Sequence, residues 1–300
     1  MYNKIDIIIF MKEITPKYYN KFKCIADRCR HSCCIGWEID IDADTLLRYK
    51  RIGGTLGKRL DSCICYDDTP HFILTEDERC PFLDGSGLCD IIKEQGKSAL
   101  CQICADHPRF RNFFSGHTEV GLGLCCEAAA ELILSQTDRF FIEVPQTKDK
   151  QEMLFFKLRQ TVFDIMQDRE FSFDKRTYNL LCFFNTEMPK KSIAEWRDEF
   201  LALEIMDSAW TDMLNTACDD VSKQDELIYE QLICYFVFRH LTGAIDDGEY
   251  ALRLKMCILF CDIIASVANT GHNINEVCRL FSAEIEYSDT NIDRILKALI

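Results

Sequence analysis

The chain has 300 residues, 48% of them hydrophobic and 28% charged, the composition of a globular protein of one or two domains. Its formal net charge of −14 argues against nucleic acid or an anionic membrane as partner, because both need basic surface. The apolar stretches 232–238 and 256–261 are shorter than the ~18 residues that cross a bilayer. Residues 1–10 lack a secretory signal, so we expect a cytoplasmic protein. Translation could start at Met1 or at Met11, and in the second case residues 1–10 are an upstream extension.

Residues 11–140 are expected to form an irregular, cysteine-rich lobe in which glycine and aspartate interrupt every periodic run. Three short elements are predicted within it: a helix over 43–52, a strand over 71–74, and a helix or turn that ends at Gly96. The first helix would begin at Asp42 or Asp44 and carry Tyr49 on its apolar side.

Residues 141–300 have the hydrophobic periodicity of an all-α lobe, which begins after a polar stretch at 143–150. One helix is predicted before that stretch, over 127–136. Six more are predicted after it, over 151–168, 191–206, 225–245, 249–268, 274–287 and 290–300. The helix over 225–245 is apolar nearly all round and should be buried. The predicted fold class is therefore mainly α, with the irregular lobe packed on the helical one.

Cysteine is unusually frequent, and 12 of the 18 cysteines fall within the first 126 residues. The main groups are Cys24-x4-Cys29-x3-Cys33-Cys34, Cys80-x8-Cys89, Cys101-x2-Cys104 and Cys125-Cys126. In a reducing compartment such clusters bind metal more often than they form disulfides. A CxxC pair lets two thiolates meet one metal, and distant pairs complete a site of four sulfurs. Both zinc and iron–sulfur clusters accept such a shell, and spacing alone does not separate them.

Six blocks of the sequence together resemble the flagellin lysine-N-methylase (FliB) family. They are 14–42, 80–91, 100–110, 122–134, 233–248 and 281–293. The cysteine pattern is shared with a wider group of zinc- or iron-chelating proteins. Two departures from the family pattern are Ala128, where an acidic residue is expected, and Tyr287, where histidine is expected.

The resemblance implies S-adenosylmethionine-dependent methylation of lysine side chains of flagellin by an enzyme with a [4Fe-4S] cluster, with zinc as the alternative metal. It implies that the ligands come from Cys33, Cys34, Cys80, Cys89, Cys101, Cys104 and Cys126. The alternative function is a metal-binding redox, sensor or adaptor protein without methyltransferase activity. The sequence predicts no particular oligomeric state.

Lysine methylation needs a neutral amine, so a carboxylate, tyrosine or histidine should remove the proton of the ammonium group. The catalytic candidates in the family-like blocks are Tyr235, His240 and Glu284, although each could instead serve only the fold. Arg239, between Tyr235 and His240 in the sequence, would need a partner if buried, and Glu284 is the expected one.

Trp37, Arg109 and Arg239 are the candidates for binding the methyl donor. Arginine can hold a carboxylate with two hydrogen bonds, and tryptophan can stack on a cation. No strand–GxGxxG–helix unit is present in the sequence, which gives a Rossmann-type donor site little support.

Overall fold

The computed structural model describes residues 12–300, so Met11 and the predicted extension over 1–10 lie outside the described part. The strands are β1 (Lys12–Ile14), β2 (Ile64–Cys65), β3 (His71–Phe72), β4 (Arg109–Phe113) and β5 (His117–Leu122). The helices are α1 (Ala43–Tyr49), α2 (Gly54–Cys63), α3 (Asp90–Gln95), α4 (Gln102–Asp106), α5 (Glu127–Leu134), α6 (Lys150–Met166), α7 (Phe173–Phe183), α8 (Ile193–Leu201), α9 (Ser208–Asn215), α10 (Glu226–His240), α11 (Ala244–Asp247), α12 (Tyr250–Ala268), α13 (Ile274–Phe281) and α14 (Asp289–Ala298). The mainly α class is confirmed, and no helix within 12–300 is long and apolar enough to span a membrane.

The described chain divides into two compact units. The cysteine-rich unit comprises residues 23–109 and 126–128, and the helical unit comprises 12–22, 110–125 and 129–300. These bounds differ from the predicted division at residue 140, because β4, β5 and most of α5 group with the helices.

The cysteine-rich unit has more regular structure than the sequence predicts. Helix α1 ends at Tyr49, short of the predicted end at 52, and the pair Gly53-Gly54 then begins the unpredicted helix α2, with Gly53 as its N-cap. Leu56 and Leu60 of α2 are buried in the core of the unit. Glycine at a helix start is permitted at little cost, which explains how two glycines separate two helices rather than opening a loop.

Helix α1 begins where the sequence predicts. The side chain of Asp42 accepts a hydrogen bond from the backbone N–H of Thr45 at 2.9 Å, the usual N-cap contact. The second oxygen of Asp42 accepts the N–H of Gln102 at 2.8 Å. One carboxylate therefore caps α1 and joins it to the start of α4.

The helical unit is built around α10 and α12, which pack against each other. Ten consecutive residues of α10, Tyr229–Phe238, are buried, which confirms the prediction of a buried helix. Helices α7 and α9 are absent from the prediction, and the N-cap of α14 is Ser288, two residues before the predicted start at 290. A π-helical turn at Ser282–Glu286 follows α13 directly. Such turns shift the register of side chains and are frequent at functional sites.

A three-stranded sheet of order β1-β5-β4 is the main element of this unit that the sequence does not predict. Strand β5 is buried along its whole length, and its residue Glu119 is fully buried. Arg159 of α6 neutralises Glu119 with two hydrogen bonds, of 2.6 and 2.7 Å. This pair joins the sheet to the helices, because a buried carboxylate is tolerated only with such a partner.

Replacing Glu119 by alanine should lower the free energy of unfolding by about 3–5 kcal/mol, because Arg159 would remain as a buried, unpaired charge. Glu143→Ala is the matched control, since it breaks the pair Lys12–Glu143, whose side chains are 61% and 59% exposed. The control substitution should lower the free energy of unfolding by less than about 1 kcal/mol. Urea unfolding of the two variants measures both effects, and equal losses would contradict this role of Glu119.

Candidate functional site

Six cysteines of the cysteine-rich unit pack in one apolar core, and five of them also act on one another electrostatically. We call these five, which leave out Cys63, the cysteine core. They are Cys34, Cys80, Cys89, Cys101 and Cys104. Cys80 and Cys101 are buried, and the other three are partly buried against the same core. Four separate sequence segments supply these thiols, so their convergence is a property of the fold and not of local spacing.

Backbone contacts hold these segments together. The N–H of Cys80 donates to the carbonyl of Cys34 at 2.8 Å. Leu83 and Cys89 form an isolated antiparallel bridge, which closes the loop between Cys80 and Cys89. Cys101 is the N-cap residue of α4, and the single turn of this helix brings Cys104 back to the same side.

The thiols of the cysteine core influence one another electrostatically. Burial raises the pKa of Cys80 to about 12, and the charges of Cys34, Cys89 and Cys101 add to this effect. Cys104 donates a hydrogen bond to Cys101, which raises the pKa of Cys104 and lowers that of Cys101. A hydrogen bond from Cys33 lowers the pKa of Cys34 to about 7, with contributions from Ser32 and Arg79. The core thus combines thiols that resist ionisation with two that ionise more readily.

The hydroxyl of Tyr49 lies at this core and has no hydrogen-bond partner among the described residues. Tyr49 is 2% exposed and belongs to the same apolar core as the five thiols. Burial raises the pKa of its hydroxyl, followed by the charges of Cys101, Cys104 and Cys89. The core therefore contains an unused hydrogen-bond donor beside its sulfur atoms.

The remaining N-terminal cysteines of the predicted ligand set lie outside the cysteine core. The charges of Cys126 and Cys24 act on both Cys29 and Cys33, so these four thiols form a second neighbourhood. Glu127 accepts from the Cys29 thiol at 3.8 Å and from Arg30 Nε at 3.1 Å. Of the predicted ligands, Cys33 and Cys126 belong to this neighbourhood.

The described thiols do not form a ligand shell. Within residues 12–300, no group of three or more His, Cys, Asp or Glu side chains has the geometry of a metal site. In the cysteine core, Cys101 and Cys104 are joined by a thiol hydrogen bond, and Cys34 accepts one from Cys33.

The helical unit contains a buried ion network centred on Glu286, whose side chain is fully buried. Its other members are Tyr235, Arg239 and His240. His240 Nε2 lies 2.7 Å from Glu286 Oε1, and the Tyr235 hydroxyl donates to Glu286 Oε2 at 2.9 Å. Arg239 forms an ion pair with Glu286 at 3.4 Å and donates to the Tyr235 hydroxyl at 3.0 Å. Tyr235 and His240, predicted from sequence, are therefore brought together by Glu286.

Burial and charge set the ionisation of this network. Burial lowers the pKa of His240, against the opposing influence of Glu286, so the imidazole is neutral at pH 7. Burial alone would raise the pKa of Glu286, but Arg239 and His240 outweigh it and keep the carboxylate ionised. The network thus holds a neutral base beside an anion that can stabilise its protonated form.

The network approaches the protein surface at Tyr287, which is 52% exposed. The guanidinium of Arg239 lies between two rings, 4.4 Å from the centroid of Tyr287 and 4.9 Å from that of Phe110. The Tyr287 hydroxyl accepts a hydrogen bond from Cys125 at 3.3 Å. Tyr287, at the position where the family resemblance suggests histidine, therefore covers the network instead of supplying a base.

Glu284 is not part of this network. Its carboxylate accepts the backbone N–H groups of Met206 at 2.7 Å and Asp207 at 3.3 Å, just before α9. The expected pairing of Arg239 with Glu284 is wrong, because Glu286 is the partner of Arg239. The two glutamates stand two positions apart and therefore point to different sides. Burial raises the pKa of Glu284.

The three residues suggested for the methyl donor are not brought together within one unit. Trp37 and Arg109 belong to the cysteine-rich unit, and Arg239 belongs to the helical unit. The indole N–H of Trp37 donates to the carbonyl of Cys33 at 2.6 Å. Arg109 donates to the carbonyls of Ala105 at 3.3 Å and His107 at 3.5 Å. Trp37 and Arg109 therefore make local contacts beside the cysteine segments.

Sequence comparison finds curated relatives of the chain in Salmonella. The lysine-N-methylase of Salmonella typhimurium is 30% identical over 145 residues, which cover 43% of this chain and 34% of that protein. The lysine-N-methylase of Salmonella choleraesuis matches with the same identity and coverage. The flagellar biosynthetic protein FliU of Salmonella muenchen is 28% identical over 138 residues, covering 43% of this chain and 82% of that protein.

The chain is a relative of these lysine-N-methylases. The resemblance to a FliB-like family is thereby confirmed. The matched part spans about a third of the length of the two lysine-N-methylases. No protein-family model and no solved structure matches the chain.

Replacing Glu286 by glutamine should lower the free energy of unfolding by about 3–5 kcal/mol, because Arg239 would keep a buried charge without its anion. Tyr235→Phe should cost about 1–3 kcal/mol, because it leaves the N–H of Leu124, which donates to Tyr235 at 3.2 Å, without an acceptor. Tyr287→Phe keeps its ring on Arg239 and should cost less than about 1 kcal/mol. Urea unfolding tests this order of losses in stability. A Glu286→Gln variant that is as stable as the wild type would contradict the network.

Proposed function

We propose that this protein methylates lysine side chains of flagellin with S-adenosylmethionine as methyl donor, and that it depends on a [4Fe-4S] cluster. The similarity to the two lysine-N-methylases carries the proposal. The flagellar name of the FliU relative supports flagellin as the substrate. The buried ion network and the cysteine core supply two groups of side chains that such an enzyme needs.

Methyl transfer to lysine requires the lone pair of a neutral amine, whereas a free lysine side chain has a pKa of ~10.4. The enzyme must therefore accept a proton from the substrate at neutral pH. His240 fits this task, because burial keeps its imidazole neutral and Glu286 lies 2.7 Å from Nε2. When His240 takes up a proton, the carboxylate of Glu286 stabilises the imidazolium. A base oriented by a hydrogen-bonded carboxylate is a common catalytic arrangement.

Tyr287 is the proposed point of entry for the lysine. It is the half-exposed residue of this site, and its ring covers Arg239, which connects it to Glu286. Arg239 remains paired with Glu286, so its charge can repel the ammonium form of lysine and favour the neutral amine. In this arrangement His240 accepts the proton, Glu286 orients His240, and Tyr235 fixes Glu286.

The cysteine core fits an iron–sulfur cluster in its donor set. Five thiols from four segments meet in an apolar surrounding, and a buried tyrosine hydroxyl without a partner lies beside them. We infer that four of the five act as ligands as thiolates, and the pKa of about 7 at Cys34 favours its ionisation. When bound, a [4Fe-4S] cluster supplies a one-electron redox centre. Zinc would accept the same four sulfurs.

Anaerobic incubation of the iron-loaded full chain with unmodified flagellin and S-adenosylmethionine should increase the mass of flagellin by one or more methyl groups. Intact-mass spectrometry follows the flagellin, and iron and sulfide are counted on the same enzyme sample. His240→Asn should reduce the rate by about 10²-fold or more, the usual contribution of a general base. His272→Asn replaces a histidine of the same unit that contacts Thr216, and its rate should equal that of the wild type.

The pH profile separates a base from a structural residue. The loss caused by His240→Asn should shrink toward pH 10, because lysine then loses its proton without help. A constant loss at all pH values would contradict the role of His240. An iron-loaded protein that leaves flagellin unchanged would overturn the methylase and favour a redox or sensor protein. A protein that holds only zinc and is inactive would favour the adaptor.

A further inference from the structure

Tyr49 presents a buried hydroxyl that the fold itself does not use. The residue is 2% exposed, and its hydroxyl has no hydrogen-bond partner among the described residues. Removing a hydroxyl from water without giving it a partner is destabilising, so buried tyrosines in native proteins usually have one. The position of Tyr49 therefore indicates a partner that is not a protein group.

The surroundings of this hydroxyl narrow the identity of the partner. Besides burial, the charges of Cys101, Cys104 and Cys89 raise the pKa of this hydroxyl, and the charge of Arg48 lowers it. Phe72 packs on the ring of Tyr49 at 6.2 Å with an angle of 26° between the planes. The hydroxyl thus lies in an apolar core that it shares with the thiols whose charges act on it.

The position of Tyr49 is fixed relative to Cys101 by hydrogen bonds at both ends of α1. At the start of the helix, Asp42 accepts the N–H groups of Thr45 and of Gln102, the residue after Cys101. Near its end, Arg48 donates to the carbonyl of Leu100 at 3.2 Å. The donor is therefore preorganised, and an acceptor at the cysteine core would need no rearrangement of α1.

We propose that the Tyr49 hydroxyl donates a hydrogen bond to a sulfur atom of the metal centre held by the cysteine core, and that this bond raises the reduction potential of the centre. The sulfur is a cysteine thiolate or an inorganic sulfide, which are equivalent acceptors. Hydrogen bonds to the sulfurs of a cluster stabilise its more negative, reduced state. The inference rests on the [4Fe-4S] centre of the proposed function.

The test compares Tyr49→Phe with the wild-type full chain, both reconstituted anaerobically with iron and sulfide. A redox titration followed by absorbance gives the midpoint potential of each. Phenylalanine keeps the ring packing on Phe72 and removes only the donor, so the potential of the variant should be more negative. Tyr66→Phe is the matched control, because Tyr66 lies in the same unit and is 49% exposed. Its potential should equal that of the wild type.

A second measurement, the free energy of unfolding of the iron-free protein, tests whether Tyr49→Phe simply disturbs the packing of the core. Without the metal centre the hydroxyl has no acceptor, so Tyr49→Phe should leave the free energy of unfolding unchanged or raise it. A lower value for the iron-free variant would mean that the hydroxyl already has a protein partner, and it would overturn the inference.

The outcomes separate this inference from the proposed function. A wild-type chain that forms no iron–sulfur cluster overturns the cofactor assignment and the role of Tyr49 together. A wild-type cluster whose potential is the same in Tyr49→Phe overturns the role of Tyr49 alone. An equal shift in Tyr66→Phe would also overturn it, because the effect would not depend on the buried hydroxyl.

Discussion

A charge buried in an apolar core must be neutralised, and this constraint governs both units of the protein. In the helical unit, arginine neutralises the buried carboxylates: Arg159 pairs with Glu119, Arg176 with Glu230, and Arg239 with Glu286. In the cysteine-rich unit, the concentrated groups are thiols, and burial raises the pKa of Cys80 to about 12. Several thiolates in that core would require a strong cationic partner, and a metal centre is the chemical group that supplies it.

The same constraint gives the helical unit its chemical character. Glu286 is ionised only because Arg239 and His240 face it, and His240 is neutral because it is buried. Such a buried network is weak evidence for stability, because apolar residues of similar volume are often as stable or more stable in its place. A role of His240 and Glu286 in accepting a proton would explain why the fold contains this pair despite its cost in stability.

The sequence predicts the helices with strong periodicity well, because burial of an apolar stripe dictates them. It does not predict α2, where Gly53 acts as a helix cap, or the sheet that contains β5, which carries the polar residues Thr118 and Glu119 in buried positions. Tyr235 and His240 could be selected as candidates from residue type. The choice of Glu286 over Glu284 as partner of Arg239 could not, because residue type does not say which of the two carboxylates faces α10. In the sequence, Tyr49 looks like an ordinary apolar position of α1. Only the structure shows that its hydroxyl is buried without a hydrogen-bond partner among the described residues.

The claim that the cysteine core holds the metal centre is tested most directly by thiol alkylation of the iron-loaded and iron-free proteins. Mass spectrometry would then locate the labelled cysteines. The account predicts that at least two of the partly buried thiols Cys34, Cys89 and Cys104 are protected only when iron is bound. The buried thiols of Cys80 and Cys101 should stay unlabelled in both forms. The exposed residues Cys24 and Cys182 should be labelled in both forms. Equal labelling of the cysteine core with and without iron would contradict the account.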